Sequence, residues 1–333
     1  MEFSEILQNL EKKIYHPVYL LQGDEPYFID VLSNYIEKNV LTDAEKGFNQ
    51  SVFYGKDSDP ITIIESARRF PMMAEKQVII VKEAQSLSKI ETLLPYAEHP
   101  LESTILVFAY KYKTLDGRGK LIKAIKKNGV VFNSKKLYEN KIPGWIDNYL
   151  KGQGYSITPQ AAQLLTSFLG TELGKIVNEL DKLVIAVKDS KKITPEHIEK
   201  NIGVSKDYNV FELQNALGQK DILKANKIIN YFGANPSQNP VQKTIPGLYS
   251  FFSKLFTYHF TKDKSERNVA AELKVHPFFV RDYVAAAKRY SPTKLYEIMG
   301  ILREYDMKSK GFNVSTMVDT GDLQREMIYK ILH

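Results

Sequence analysis

The 333-residue chain contains no cysteine and only one tryptophan. The absence of cysteine excludes disulfides, thiolate metal ligands and a cysteine nucleophile. Six histidines are scattered along the chain, and no two have the H-x-x-x-H spacing that is typical of a zinc site on a helix. We therefore expect neither a bound metal nor a cofactor.

Long apolar runs are also missing. No segment approaches the roughly 18 consecutive apolar residues that indicate a membrane span, so we expect no membrane partner. The first residues, MEFSEIL, include an acid at position 2 and no basic stretch, and they do not predict a secretory signal. The chain is 43% hydrophobic and 26% charged, which is ordinary for a globular protein. These features predict a cytoplasmic protein with two or three domains.

The charge balance is positive and uneven. The net charge of +7 favours an anionic partner, and residues 111–136 hold nine basic residues against one acid. Such a segment can be a solvated helix face. It can also contact the phosphate backbone of DNA, which would make binding salt-dependent and independent of base sequence. The candidate DNA contacts are Lys111, Lys113, Arg118, Lys120 and Lys123.

Short β-rich runs alternate with helical patterns through residues 1–139. The run at residues 78–81 is continuously apolar, as expected of a strand that is covered on both faces. Alternation of this kind predicts an α/β domain in which helices cover a five-stranded parallel sheet. The predicted strands are residues 18–21, 50–54, 78–81, 105–109 and 130–132.

Beyond residue 139 the patterns are helical. Residues 140–206 form a predicted small helical domain, in which Thr158 and Thr194 each precede a proline and resemble helix N-caps. Residues 207–333 form a second predicted all-helical domain. Its aromatic stripe has helical spacing and indicates a core or a subunit interface; it consists of Phe251, Phe252, Leu255 and Phe256.

Residues 18–30 have the order of strand, turn glycine and helix that holds a P-loop. A working P-loop has the pattern G-x-x-x-x-G-K-[ST], but counting from Gly23 its last three positions are Phe28, Ile29 and Asp30. After the strand at 78–81, Lys82 stands where an ATPase needs a carboxylate for magnesium. The sequence predicts a P-loop NTPase fold without a working nucleotide site. The alternative is an active ATPase with an atypical loop.

This domain plan resembles an AAA+ clamp-loader subunit, and six stretches are similar to the bacterial DNA polymerase III delta subunit family. The resemblance implies an AAA+-like α/β domain over 1–139 with a vestigial P-loop, a helical lid over 140–206 and a helical collar over 207–333. It also aligns Leu173 with an arginine that senses the γ-phosphate in related ATPases. The six stretches are residues 19–27, 69–81, 115–125, 169–183, 210–217 and 306–311.

Residues 70–74 carry large apolar side chains where a turn is expected between a helix and a strand. Contiguous exposed apolar surface usually marks a contact site, although Phe70 and one methionine could instead cover the local core. In the family that the chain resembles, this loop is a hydrophobic wedge that inserts into the sliding clamp. The resemblance implies that Met72 and Met73 are the anchors and that Phe70 and Pro71 shape the loop.

The resemblance implies a non-catalytic subunit that binds and opens the sliding clamp (beta) for loading onto primed DNA during replication. The other implied partners are the gamma/tau and delta-prime types of subunit, which would join through the collar. We expect neither ATPase nor polymerase activity from this chain alone, although the family belongs to a DNA-directed DNA polymerase (nucleotidyltransferase) holoenzyme. A standalone DNA-binding protein that uses residues 111–136 is the remaining alternative.

Overall fold

The structure, a computed structural model, describes residues 1–187, 190–203, 205–312 and 319–333. The chain divides into two compact units, Met1–Leu137 and Tyr138–His333. The first unit ends close to the boundary that the sequence predicts at residue 139. The further division of the second unit into a lid and a collar at residue 206 stays a prediction.

The first unit contains a five-stranded parallel sheet with the strand order β2-β3-β4-β1-β5. The sheet confirms the predicted fold class, and each strand overlaps the run that predicted it. Strand β1 lies between β4 and β5, and its Leu20 lies opposite Phe108 of β4 and Val131 of β5. The strands are β1 Val18–Gly23, β2 Gln50–Tyr54, β3 Gln77–Lys82, β4 Thr104–Lys111 and β5 Val130–Ser134.

Helices cover both faces of this sheet and close two hydrophobic cores. Val18 and Leu20 of β1 enter one core, whereas Tyr19 and Leu21 enter the other, because successive side chains of a strand point to opposite faces. Burial on both sides explains the continuous apolar runs in the sequence. The helices are α1 Phe3–Glu11, α2 Pro26–Asn39, α3 Asp43–Asn49, α4 Pro60–Ala67, α5 Leu94–Glu98 and α6 Lys120–Asn128.

The second unit is helical apart from two short strands that the sequence did not predict. Strand β6 Ser156–Ile157 pairs in parallel with β7 Lys192–Ile193. Two residues are too few to show the period-two alternation that identifies a strand. The helices are α7 Ile142–Gly152, α8 Pro159–Leu169, α9 Leu173–Ala186, α10 Pro195–Ile202, α11 Val210–Gln219, α12 Ile222–Ala234, α13 Val241–Phe260, α14 Glu266–Leu273, α15 Val280–Ala287, α16 Pro292–Ser309 and α17 Thr320–Leu332.

The aromatic stripe of α13 is largely core. Phe251, Phe252 and Leu255 are buried within one apolar cluster that runs from α11 to α17, and Phe256 packs against that cluster while partly exposed. No helix in the described parts of the chain is long and apolar enough to cross a membrane.

Candidate functional site

The turn between β1 and α2 is too short to surround a phosphate. Only Asp24 and Glu25 separate the last residue of β1, Gly23, from the first residue of α2. Gly23 has a φ of +130°, and a Cβ added to it would lie 2.0 Å from the backbone oxygen of Ser134. The amide of Asp24 donates to that same oxygen at 3.0 Å. The turn is therefore packed against the end of β5, and it lacks the extended loop with which a P-loop surrounds phosphates.

A carboxylate of the chain itself occupies the N-terminus of α2. Glu25 is 3% exposed, and its side chain accepts a hydrogen bond from the amide of Tyr27 at 3.2 Å. Pro26, the first residue of the helix, has no amide hydrogen to offer. A helix N-terminus attracts anions because its first amides and its dipole favour negative charge. The Glu25 side chain occupies the Tyr27 amide, which is therefore not available to a phosphate.

The three positions that should carry glycine, lysine and a hydroxyl lie inside the first turns of α2. The Phe28 ring packs 4.8 Å from the ring of Phe3, and Ile29 is fully buried in the core. Neither side chain can contact a phosphate. Asp30 instead faces a cation of the chain, Lys111.

Lys111 bridges two carboxylates at the carboxyl edge of the sheet. Its Nζ lies 2.8 Å from Oδ1 of Asp30 and 3.3 Å from Oε1 of Glu83. In P-loop NTPases, magnesium is held between the P-loop hydroxyl residue and an acid that follows a sheet strand. Asp30 occupies the former position, whereas Lys82 occupies the latter and Glu83 is the next residue. The Lys111 ammonium therefore links the carboxylate at the P-loop hydroxyl position with the carboxylate that follows Lys82.

The charges around this bridge determine the ionisation of Lys111. Burial lowers the pKa of its ammonium, but the hydrogen bonds and charges of Asp30 and Glu83 more than offset burial, so the pKa lies above its usual value. Lys82, which stands where the magnesium-binding acid was expected, pairs with Glu37 of α2 at 2.9 Å. In the second unit, Leu173 is buried at the start of α9 and offers no charge to a γ-phosphate.

The structure separates the five predicted DNA contacts into two groups. Lys111 is 17% exposed and held by two carboxylates, and Arg118 pairs with Asp116 at 3.0 Å. Lys113, Lys120 and Lys123 are exposed, and within the described residues they form no ion pair. The last two lie on α6, whose apolar face is buried against the sheet.

The loop between α4 and β3 exposes the apolar residues that the sequence singled out. Met73 is 99% exposed, Phe70 78% and Met72 55%, whereas Pro71 is half-buried. The alternative in which Phe70 and a methionine cover the local core is wrong, because all three large side chains face solvent. Met73 also has a φ of +55°, the left-handed region that side chains other than glycine rarely adopt.

Buried amides hold the base of this loop. The Gln77 side chain donates to the backbone oxygens of Ala67 and Arg69, at the end of α4. Asn49, the last residue of α3, is 4% exposed and contacts the backbone of Met72 twice: its Oδ1 accepts from the Met72 amide at 2.6 Å, and its Nδ2 donates to the Met72 oxygen at 2.9 Å. The side chains at the tip of the loop are exposed, but hydrogen bonds from Asn49 hold the backbone at Met72.

Two residues of this region were missed from the sequence. Phe48 precedes Asn49 and is 75% exposed, so it is a further large apolar side chain that faces solvent. An aromatic residue in the otherwise polar helix α3 was a signal that could have been used. Asn49 gave no such signal, because its contact with Met72 depends on the folded arrangement.

Comparisons with known proteins agree with this geometry over most of the chain. The family described as DNA polymerase III, delta subunit, matches residues 19–135, and the C-terminal domain of the same subunit matches residues 207–318. The DNA polymerase III subunit delta of Bacillus subtilis (strain 168) is 30% identical over 321 residues, which cover 92% of this chain and 91% of that protein.

The chain belongs to the DNA polymerase III delta subunit family. Among solved structures, the Bacillus subtilis DNA clamp loader delta protein (YqeN) is similar over 99% of both chains, with 25% identity and a TM-score of 0.54. Membership confirms the resemblance that the six sequence stretches indicated.

The short, packed turn between β1 and α2 predicts that the isolated chain neither binds nor hydrolyses ATP. A nucleotide at 100 times its dissociation constant would stabilise the fold by about 2.7 kcal/mol, so Mg–ATP should leave the thermal unfolding midpoint unchanged. Phosphate release measured on the same preparation should stay at the buffer rate, with an intact P-loop ATPase as the positive control. Reproducible phosphate release by the purified chain would revive the alternative of an atypical active ATPase.

The ion pairs of Lys111 with Asp30 and Glu83 predict that Lys111→Met lowers the free energy of unfolding by about 1 kcal/mol at pH 7. This value lies between the contributions of exposed and buried ion pairs. A lysine with a raised pKa stabilises the fold only while it is protonated. The deficit should therefore persist to about pH 10.5 and disappear as the pH rises through the raised pKa.

Urea unfolding of wild type and variant across this pH range measures the deficit. Lys113→Met, which removes an exposed and unpaired cation nearby, is the control and should stay within about 0.5 kcal/mol of wild type. Equal stability of Lys111→Met and Lys113→Met would show that the bridge contributes nothing.

Proposed function

We propose that this chain is the clamp-binding subunit of a bacterial clamp loader and that it opens the sliding clamp with the loop Phe70–Pro71–Met72–Met73. The observation that carries the proposal is the exposure of three large apolar side chains on a backbone that buried amides hold in place. Exposed apolar side chains grouped on one loop favour a protein contact over a solvated surface.

Methionine suits a contact of this kind. Its side chain is unbranched and polarizable and adapts to an irregular apolar pocket. Burying one such side chain fully contributes roughly 1.5–3 kcal/mol, and a few central anchors usually dominate an interface. Met73 has almost its whole surface available for burial and Met72 about half, so these two are the proposed anchors.

Opening a ring needs no nucleotide in the protein that opens it. A subunit that binds the open form of the clamp more tightly than the closed form shifts the population toward the open form by that difference in affinity. The closed turn after β1 fits such a role, because the chain then acts by binding alone. Release and repetition would depend on ATP hydrolysis in neighbouring subunits.

The neighbours in this proposal are subunits of the gamma/tau and delta-prime types, and the helical residues 207–333 are their binding region. Large aromatic side chains remain exposed on these helices, as on an unfilled protein interface; they include Phe260, Tyr296 and Tyr329. The proposed domain plan is an AAA+-like domain over 1–139, a lid over 140–206 and a collar over 207–333.

The wedge proposal predicts that Met72→Ala/Met73→Ala weakens clamp binding at least roughly 100-fold, because both apolar anchors are removed. Both side chains face solvent, so the thermal unfolding midpoint should stay within a few degrees of wild type. Surface plasmon resonance on the immobilised clamp measures the affinity. Ile14→Ala, which removes another half-exposed apolar side chain of the same unit, should bind as wild type does. Retained affinity in the double variant would refute the wedge.

A second contact, with the phosphates of primed DNA, is proposed for the exposed cations Lys113, Lys120 and Lys123. Their triple glutamine variant, tested within the assembled loader, should reduce the slope of log affinity against log salt concentration by about 2–3, or about 0.9 per lost contact. The matched control is the triple glutamine variant of Lys12, Lys13 and Lys56, which removes the same charge elsewhere in the unit. Equal slopes in the two variants would leave residues 111–136 as a solvated surface.

A further inference from the structure

We propose that Asn49 is a positioning residue that holds the wedge loop in its binding geometry, an inference that rests on the proposed function. The two hydrogen bonds between the Asn49 amide and the Met72 backbone are called the Asn49 bracket below. They join the end of α3 to the middle of the loop across 23 residues of sequence.

The bracket acts at the point of the loop where the backbone is least favourable. Met73 follows directly and has a φ of +55°, which is unfavourable for a residue with a side chain. Its own side chain is 99% exposed and gains little from packing. The conformation of Met73 therefore depends on the backbone around it, and the Asn49 bracket fixes the residue immediately before it.

A third bond fixes Asn49 itself. Its Nδ2 also donates to the oxygen of Glu45 at 3.2 Å, one turn earlier in α3, and the side chain is buried. Because the amide is already ordered in the folded chain, it can hold the loop before any partner arrives. Ordering the loop in advance lowers the entropy lost on binding, and it should appear as tighter association with the clamp.

Asn39 provides a matched control. It is likewise the last residue of its helix, α2, and its Nδ2 donates to the oxygen four residues earlier, Tyr35, at 2.9 Å. This hydrogen bond of Asn39 stays within α2, whereas Asn49 also bonds the backbone of Met72 in the loop. Asn39→Ala should therefore reproduce the loss of a helix-end amide without loosening residues 70–74.

The first measurement is hydrogen exchange of the full-length chain without its partner, followed by mass spectrometry. Asn49→Ala, and the nearly isosteric Asn49→Asp, which cannot donate to the Met72 oxygen when ionised, should both increase exchange in residues 70–74. Asn39→Ala should leave that exchange unchanged. Unchanged exchange in both Asn49 variants would overturn the proposal whatever the clamp does.

The second measurement is affinity for the sliding clamp. Asn49→Ala should weaken binding roughly tenfold, because two hydrogen bonds that order the loop are lost. In a Met73→Ala background, the same change should cost less than tenfold, because one of the two anchors on the loop that the bracket positions is already absent. An equal loss in both backgrounds, or wild-type affinity in Asn49→Ala, would overturn the positioning role.

The two proposals fail in different ways. If the wild-type chain does not bind the clamp, or if Met72→Ala/Met73→Ala binds it normally, the wedge is wrong while the exchange experiment still tests the bracket. If the wedge variant loses binding and the Asn49 variants do not, the wedge stands and Asn49 has no role in positioning it.

Discussion

Because the five strands are hydrogen-bonded in parallel, every strand begins at one end of the sheet and finishes at the opposite end. This constraint determines where the two candidate regions of the first unit lie. The turn after β1 and the ion pairs of Lys111 lie where strands end. The loop of residues 70–73 and Asn49 lie where β3 and β2 begin. Strand β3 separates the two ends by roughly 17 Å at ~3.3 Å per residue. Strand β3 thus joins the end of the sheet that carries the Lys111 ion pairs to the end that carries the proposed contact surface.

The groups around the turn after β1 are satisfied from within the chain. Glu25 accepts a hydrogen bond from the amide of Tyr27 at the N-terminus of α2, and the Lys111 ammonium lies between the carboxylates of Asp30 and Glu83. Each of these groups therefore has a partner within the chain.

The sequence predicted the features that depend on local pattern. Short β-rich runs, of which 78–81 is continuously apolar, identified all five strands, and the spacing from Gly23 placed Phe28, Ile29 and Asp30 at the glycine, lysine and hydroxyl positions of a P-loop. It could not predict the partners of Lys111 or Asn49, because both contacts join residues that meet only when the sheet has formed. The pairing of β6 with β7 was not predicted for a different reason. A strand of two residues is too short to show an alternation of apolar and polar side chains.

The exposure of Met73 has a chemical consequence. In a chain without cysteine, methionine carries all of the sulfur, and among the described methionines the side chain of Met73 is the most exposed. Oxidants convert exposed methionine to the sulfoxide, which is polar and no longer fits an apolar pocket. Oxidative damage to this protein would therefore reach its proposed contact surface while the buried core stayed intact, and methionine sulfoxide reductases could reverse it.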